Sequence, residues 1–351
     1  MESGYLKLDL QLDENKLEEG ALAVLKHVRP EWDISNVKFK IFTDGISNKL
    51  IGAYLGDNKR NMILVRIFGN KTELIINREQ ELKAFQVLYE AGCGPQLYAT
   101  FKNGISYGFM PGSILSTETV RSEKLYPLIA REMAKLHTLK PKDGFKFEPC
   151  LFVTLRKWLK ILPKEFEDKE KQERYKRDAP SHETLEKEMN ELEQLLIPLG
   201  SPVVFTHNDL LLANILYDDL ENKISFIDYE YASYNYQGFD IGNHFDEFAG
   251  VEEVDYSLYP DKEFQLKWLR EYLKAWHEFN NISDPVTDQE IEKLYVIANK
   301  FSLASHFFWG TWGLIQAHNS TIDFDFLGYA ITRMNEYFKN KDKFFALPMP
   351  S

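Results

Sequence analysis

At Pro111-Gly112 the hydrophobic pattern of the chain changes period, and this limits its architecture more than any other feature. Upstream, Val37 to Phe42, Leu50 to Leu55 and Met62 to Phe68 are short apolar runs rich in β-branched residues, broken by Asp44-Gly45 and Asp57-Asn58, and they read as strands. One helix interrupts them. Leu82, Phe85 and Leu88-Tyr89 recur at helical spacing between Arg78 and Ala91, and Gly92 and Gly94-Pro95 stop the pattern. Leu97 to Phe101 and Ile105 to Met110 flank Lys102-Asn103-Gly104, a hairpin turn in which glycine is expected to supply a positive φ. Downstream, Leu125, Leu128, Ile129, Met133 and Leu136 mark one helical face between Ser122 and His137. Further helices are expected around Phe264–Phe279, Gln289–His318 and Phe326–Phe338, with short strands only at Val203–Phe205, Ile215–Tyr217 and Ile224–Ile227. Pro163 to Glu193 is dense in Lys, Glu and Arg and reads as a solvated helix pair or a mobile loop without chemistry. With 351 residues the chain exceeds what one core sustains, about 250–300 residues. The pattern therefore predicts an α+β molecule of two lobes: a small antiparallel sheet with one helix over residues 1–111, and a larger, mainly helical lobe over 112–351.

Charge narrows what such a molecule binds. Lys and Arg number 42 against 54 Asp and Glu, a net charge of −12, which argues against nucleic acid and anionic membrane as partners. A local basic groove for a phosphorylated ligand remains open, and an anionic cosubstrate would call for a metal ion. The two cysteines, Cys93 and Cys150, form no CxxC or Cys/His metal spacing and suit a reducing cytosol. Met1 to Asn15 has neither the basic nor the apolar region of a secretory signal. Phe301 to Ile322 lacks Asp, Glu, Lys and Arg but contains His306, Gln316, His318 and Asn319, so a buried helix is expected there and not a membrane span. A cytoplasmic protein is the expectation.

The chemistry concentrates in His207-Asn208-Asp209, Asn214 and Asp228-Tyr229-Glu230, three polar groups at the ends of short apolar strands. In phosphoryl transfer, an Asp followed five positions later by Asn, with a further Asp beyond, supplies a base for the acceptor hydroxyl and two ligands for Mg²⁺. Asp209 and Asn214 keep that spacing, Asp228 follows the Phe226-Ile227 strand end, and Glu230 adds an oxygen donor. Asn214, Asp228 and Glu230 are oxygen ligands, as Mg²⁺ prefers. Each residue alone would read as an Asx turn or a strand end; the combined spacing favours catalysis. His207 is expected to brace the loop backbone.

Other parts of a phosphotransfer site occur upstream. Leu64-Val65-Arg66 places Arg66 on the third strand, where the usual lysine would contact the α- and β-phosphates. Arg offers a planar fork in place of a point charge. Its expected partner is Glu81, preferred over Glu79 because it begins the better-defined periodic stretch. Thr43-Asp44-Gly45-Ile46-Ser47-Asn48 has a single glycine, yet its backbone amides and the Ser47 and Asn48 side chains are candidates for phosphate contact. Ile105 to Pro111 is the candidate adenine-holding hinge.

Together these residues resemble the choline/ethanolamine kinase family, and within it the ethanolamine-specific branch. The similarity covers nearly the whole chain, through LVRIFGNKTEL, GCGPQLYATFKNG, SPVVFTHNDLLLANILY, FIDYEYASYNYQGFDIGNHFDEFAG, VDYSLYPD and FSLASHFFWGTWGLIQA. The resemblance implies a two-lobed protein-kinase-like fold and ATP-Mg²⁺-dependent phosphorylation of ethanolamine to phosphoethanolamine, the first step of the CDP-ethanolamine route to phosphatidylethanolamine. It implies Asp209 as catalytic base, with Asn214 and Asp228 as metal ligands, and Arg66 in place of the kinase lysine. Asp240 is implied to hydrogen-bond the catalytic loop, an N-cap being its plainer reading. Tyr231, Glu247, Trp309, Trp312 and Tyr329 are implied to line the amine pocket. Physics agrees in part. Trp309 and Trp312 share one side of a helix, and an aromatic face attracts an ammonium by ~0.5–2 kcal/mol.

A primary ammonium also wants acceptors for three N–H groups, whereas a trimethylated one needs only the faces, so choline kinase or dual activity is the alternative. Choline kinases usually continue the His-Asn-Asp loop with Cys-Gln-Glu-Gly; here it continues Leu210-Leu211-Leu212-Ala213, similar to the ethanolamine branch. Aminoglycoside kinases should lack the paired tryptophans, and a protein kinase is disfavoured by the missing DFG and APE motifs. A non-catalytic nucleotide or amine sensor is the rival of another class, and Asp209, Asn214 and Asp228 together argue against it. Monomer and homodimer both fit the sequence.

Overall fold

The computed structural model of the protein describes residues 4–42, 48–69, 76–140, 147–251, 253–320 and 322–350. The chain divides into two compact units, Met1–Gly112 and Ser113–Ser351.

The first unit comprises β1 (Leu6–Lys7), α1 (Leu17–Val28), β2 (Val37–Phe42), β3 (Asn48–Leu55), β4 (Ile63–Phe68), α2 (Arg78–Glu90), β5 (Leu97–Phe101) and β6 (Gly104–Gly108). The strands form one sheet in the order β1-β5-β6-β4-β3-β2. All pairings are antiparallel except that of β1, whose Leu6 and Lys7 lie parallel to Ala99 and Thr100. A two-residue strand shows no alternation, which is why the sequence pattern gives no sign of it. Alternation along β4 sets the two faces. Ile63, Val65 and Ile67 join Ala21, Val24 and Leu25 of α1 in one core, while Leu64 packs with Tyr54 and Met62 in another. Arg66 has the parity of Leu64 and pairs with Ile105, which packs against Phe85 of α2. The strand register therefore delivers Arg66 to α2. Gly104 does not adopt the positive φ expected of it. Its role is steric: a Cβ there would collide with the carbonyl oxygen of Arg66. The Thr43 to Ser47 segment lies outside the described residues, as does the side chain of Asn48, whose backbone opens β3.

The second unit comprises β7 (Ser113–Ile114), α3 (Tyr126–His137), α4 (Cys150–Lys160), α5 (Lys169–Asp178), α6 (His182–Leu196), β8 (Val203–Thr206), β9 (Ile215–Asp218), β10 (Lys223–Phe226), β11 (Ser233–Tyr236), α7 (Gln237–Asp246), α8 (Lys262–Phe279), α9 (Asp288–Asn319) and α10 (Phe326–Phe345). Two small sheets, β10-β9-β7 and β11-β8, hold the segments that carry the chemistry. Around them α9 packs against α7, α8 and α10, and α3 packs against α8. The α9 helix starts at a capping box between Thr287 and Glu290 and is buried along most of its length. The uncharged stretch from Phe301 thus runs through the core, and no helix among the described residues is long and apolar enough to cross a membrane. The charged segment behaves in two ways. The α5 helix buries no residue, but α6 buries Leu185, Met189, Leu192 and Leu196, so the solvated reading fails for α6.

Candidate active site

The loop after β8 begins with His207 and Asn208, both buried, and Asn208 sits at φ 67°, a left-handed conformation that Asn tolerates better than most side chains. Its amide is fully used: Nδ2 donates to the Tyr231 carbonyl at 2.9 Å, and Oδ1 accepts from Asn235 Nδ2 at 2.8 Å. His207 Nε2 lies 2.9 Å from the Ile227 carbonyl, and Asp209 N–H donates to Nδ1 at 3.3 Å. Removal from water outweighs the pull of Asp240 and holds His207 below its ordinary pKa. A neutral ring with Nε2–H donating matches both contacts, so the imidazole joins the two loops. Asn214 Nδ2 donates to the Asp209 carbonyl at 2.8 Å, and the Ile227 N–H donates to the Asn214 carbonyl at 3.0 Å. Asp228 follows at φ 62° and ψ 60°, a strained conformation for a residue with a side chain. Burial, then repulsion from Asp228, Glu247 and Glu230, raises the Asp209 carboxyl well above the usual range, with Arg333 opposing. Three carboxylates of this unit thus act on Asp209.

Asp240 holds the loop. Its Oδ1 accepts the Asn208 N–H at 2.7 Å, its Oδ2 accepts the His207 N–H at 2.9 Å, and His137 Nε2 on α3 lies 3.0 Å from Oδ2. Burial alone would raise this carboxyl, yet the bonds from His137 and the loop bring it below its ordinary value. Asp240 is not an N-cap: it lies in the first turn of α7, whose cap position is Tyr236.

The aromatic residues form one cluster. Ring centroids of Tyr231 and Trp309 are 5.1 Å apart, those of Trp309 and Trp312 5.5 Å, and those of Trp312 and Tyr329 6.2 Å. Trp312 Nε1 donates to the Tyr231 hydroxyl, and Trp309 Nε1 donates to Asn243 Oδ1, each at 2.9 Å. These bonds satisfy the indole donors and fix the ring planes. Glu247 is buried, and Arg333 Nη1 lies 3.1 Å from its Oε1. In the first unit Arg66 Nη2 donates to Glu81 Oε1, while Arg78 Nη1 meets Oε2 at 2.8 Å. Glu79 is exposed and pairs with Lys83.

The family model described as choline/ethanolamine kinase matches residues 39–338. The chain belongs to the choline/ethanolamine kinase family. It is 50% identical over 338 residues to ethanolamine kinase 1 of Homo sapiens, covering 96% of this chain and 75% of that protein. Among solved structures, an ethanolamine kinase of Plasmodium vivax is 30% identical with a TM-score of 0.81, covering 93% of this chain and 89% of that one. A choline kinase of Cryptosporidium parvum, 24% identical with a TM-score of 0.76 over 94% and 98% of the two chains, shares the fold. Membership makes the chain an ATP-using kinase with a protein-kinase-like fold.

For this member of the choline/ethanolamine kinase family, sequence reasoning passed over Asn208, His137, Asn243 and Arg333. The middle residue of His-Asn-Asp was legible in principle, because a left-handed turn favours Asn. Nothing marked the other three: each lies inside a helix, and only the fold brings it to its partner.

Proposed function

We propose that the chain transfers the γ-phosphoryl group of ATP to the hydroxyl of ethanolamine, giving ADP and phosphoethanolamine, the entry step to phosphatidylethanolamine. One observation supports this: within the second unit, the Asp240-held loop that carries Asp209 is tied by Asn208 Nδ2 to the Tyr231 carbonyl at 2.9 Å, and the Tyr231 ring lies 5.1 Å from that of Trp309, so the base neighbours a cation-binding surface. The hydroxyl oxygen forms a bond to the γ-phosphorus as the bond from that phosphorus to the bridging oxygen breaks, and Asp209 accepts the hydroxyl proton. The rings of Tyr231, Trp309, Trp312 and Tyr329 offer faces to the ammonium. In the first unit, Glu81 orients the Arg66 guanidinium for phosphate oxygens.

The donor set fits a magnesium ion. Asn214 commits its amide nitrogen to the Asp209 carbonyl, which leaves Oδ1 as an acceptor, and Asp228 and Glu230 add carboxylates. Among the described residues no group of three or more His, Cys, Asp or Glu could hold a metal by itself. Mg²⁺ takes one or two carboxylates with waters and phosphates. When bound, it neutralises charge on the phosphates. The first unit is accordingly the nucleotide-binding part, and the second carries catalysis and the amine.

A coupled ADP-release assay with ethanolamine, its partly methylated forms and choline at matched concentrations tests the reading. The expected result is that kcat/KM is highest for ethanolamine and declines as methyl groups replace N–H donors. Equal or better turnover of choline contradicts ethanolamine preference, and no ADP release with any amine contradicts the reaction.

A further inference from the structure

We propose that Arg333 is a positioning residue for the amine: it clamps Glu247 Oε1 and the Ser305-Asn243-Trp309 chain, leaving Glu247 Oε2 and the indole face arranged around the ammonium. The proposal rests on ethanolamine being the substrate. Arg333 lies on α10, one helical turn beyond Tyr329, and is 3% exposed. Its Nη1 is 3.1 Å from Glu247 Oε1, and its Nη2 donates to Ser305 Oγ at 3.1 Å. Ser305 Oγ in turn donates to Asn243 Oδ1 at 2.9 Å, the same oxygen that accepts Trp309 Nε1 at 2.9 Å. One guanidinium therefore fixes both the carboxylate and the tryptophan of the cluster. A lysine would supply the charge without this fork.

Electrostatics gives the arrangement a second consequence. Glu247 is faced by Asp246 on α7, by Tyr256, by Tyr329 and Arg333 on α10, and at longer range by Asp209; His306 on α9 lies 3.2 Å from Asp246. Burial pushes the Glu247 carboxyl up, and Arg333 is what opposes it. Without Arg333 the carboxyl takes up a proton more readily, and the ammonium loses a charged acceptor. An ethanolamine nitrogen would feel that loss more than a trimethylammonium, which has no N–H to donate.

The test is steady-state kinetics for ethanolamine, choline and ATP between about pH 6 and pH 8.5, a range above the ordinary Glu value of ~4.3, where only a raised carboxyl still titrates. Wild type is compared with Arg333→Gln, Arg333→Lys and Arg333→Gln combined with Glu247→Gln. The expected result for Arg333→Gln is an ethanolamine KM raised about tenfold or more, with ATP KM within about twofold of wild type. The rise is steepest at low pH, is smaller for choline, and loses its pH dependence in the double variant. Arg333→Lys recovers the pH profile but not the full ethanolamine affinity. If Arg333→Gln does not fold, Arg333→Lys decides: a raised ethanolamine KM with unchanged ATP KM supports the proposal, and an unchanged one overturns it. Equal losses for ethanolamine, choline and ATP, or an unaltered pH profile, assign Arg333 a structural role and overturn the proposal. Wild type without ethanolamine turnover instead defeats the proposed function itself.

Discussion

Glu81 is held from two sides, by Arg66 at one carboxylate oxygen and Arg78 at the other, and is 2% exposed. A buried carboxylate with two guanidinium partners orients both and offsets its own desolvation. Replacing it with Gln keeps the shape and removes the charge that aligns Arg66. Glu81→Gln is therefore expected to raise the ATP KM roughly tenfold, with ethanolamine KM unchanged. Parallel saturation curves for the two substrates check this, and an unchanged ATP KM removes Glu81 from nucleotide binding. The preference for Glu81 over Glu79 was legible because Glu81 begins the better-defined periodic stretch of α2. Arg333 was not legible: an arginine at a helical position is ordinarily a solvated side chain, and only the packing of α9 against α10 makes it a buried partner of Glu247.

The α7 helix shows why some elements escape a reading by pattern. All ten of its residues are buried, so its polar positions Gln237, Asp240, Asn243 and His244 do not mark a solvent face, and Asp240 reads as a boundary residue when it lies within the helix. The strands that carry Asp209 and Asp228 were legible because each is a short apolar run ending in polar residues. Close approach of α7 and α9 depends on glycine. A Cβ at Gly242 would stand 2.6 Å from the Ala298 carbonyl oxygen and 2.7 Å from the Ser302 nitrogen, both backbone atoms that cannot step aside. Gly242→Ala should then cost about 1–3 kcal/mol, the usual range for overpacking. The same shift displaces Asp240 and the loop it holds, so kcat should fall with it. Urea denaturation and turnover of the variant test the point, and a variant as stable and as active as the parent contradicts it.

The core of the second unit contains a buried histidine. His244 is buried, its ring centroid 5.1 Å from that of Phe248 and 5.5 Å from that of Trp268, and desolvation lowers its pKa from 6.5 to about 4. A depressed folded-state pKa means that the unfolded chain binds the proton first. This stabilisation is complete above the unfolded value of 6.5 and is lost as pH falls toward 4, amounting to about 3 kcal/mol. Stability against urea should decline over that window, and His244→Gln should flatten part of the decline; an unchanged slope contradicts the assignment. At this scale the change of period near Pro111 revealed two lobes, whereas α1, α4 and the parallel edge strand β1 went unread because the patterns there are short or mixed with charge. Phosphotransfer depends on Asp209 above all. The decisive measurement is single-turnover phosphorylation of ethanolamine by a folded Asp209→Asn protein, with ATP binding followed in parallel. A rate reduced by ~10²–10⁴-fold with ATP affinity retained is the predicted result; a rate near that of the parent contradicts Asp209 as the base.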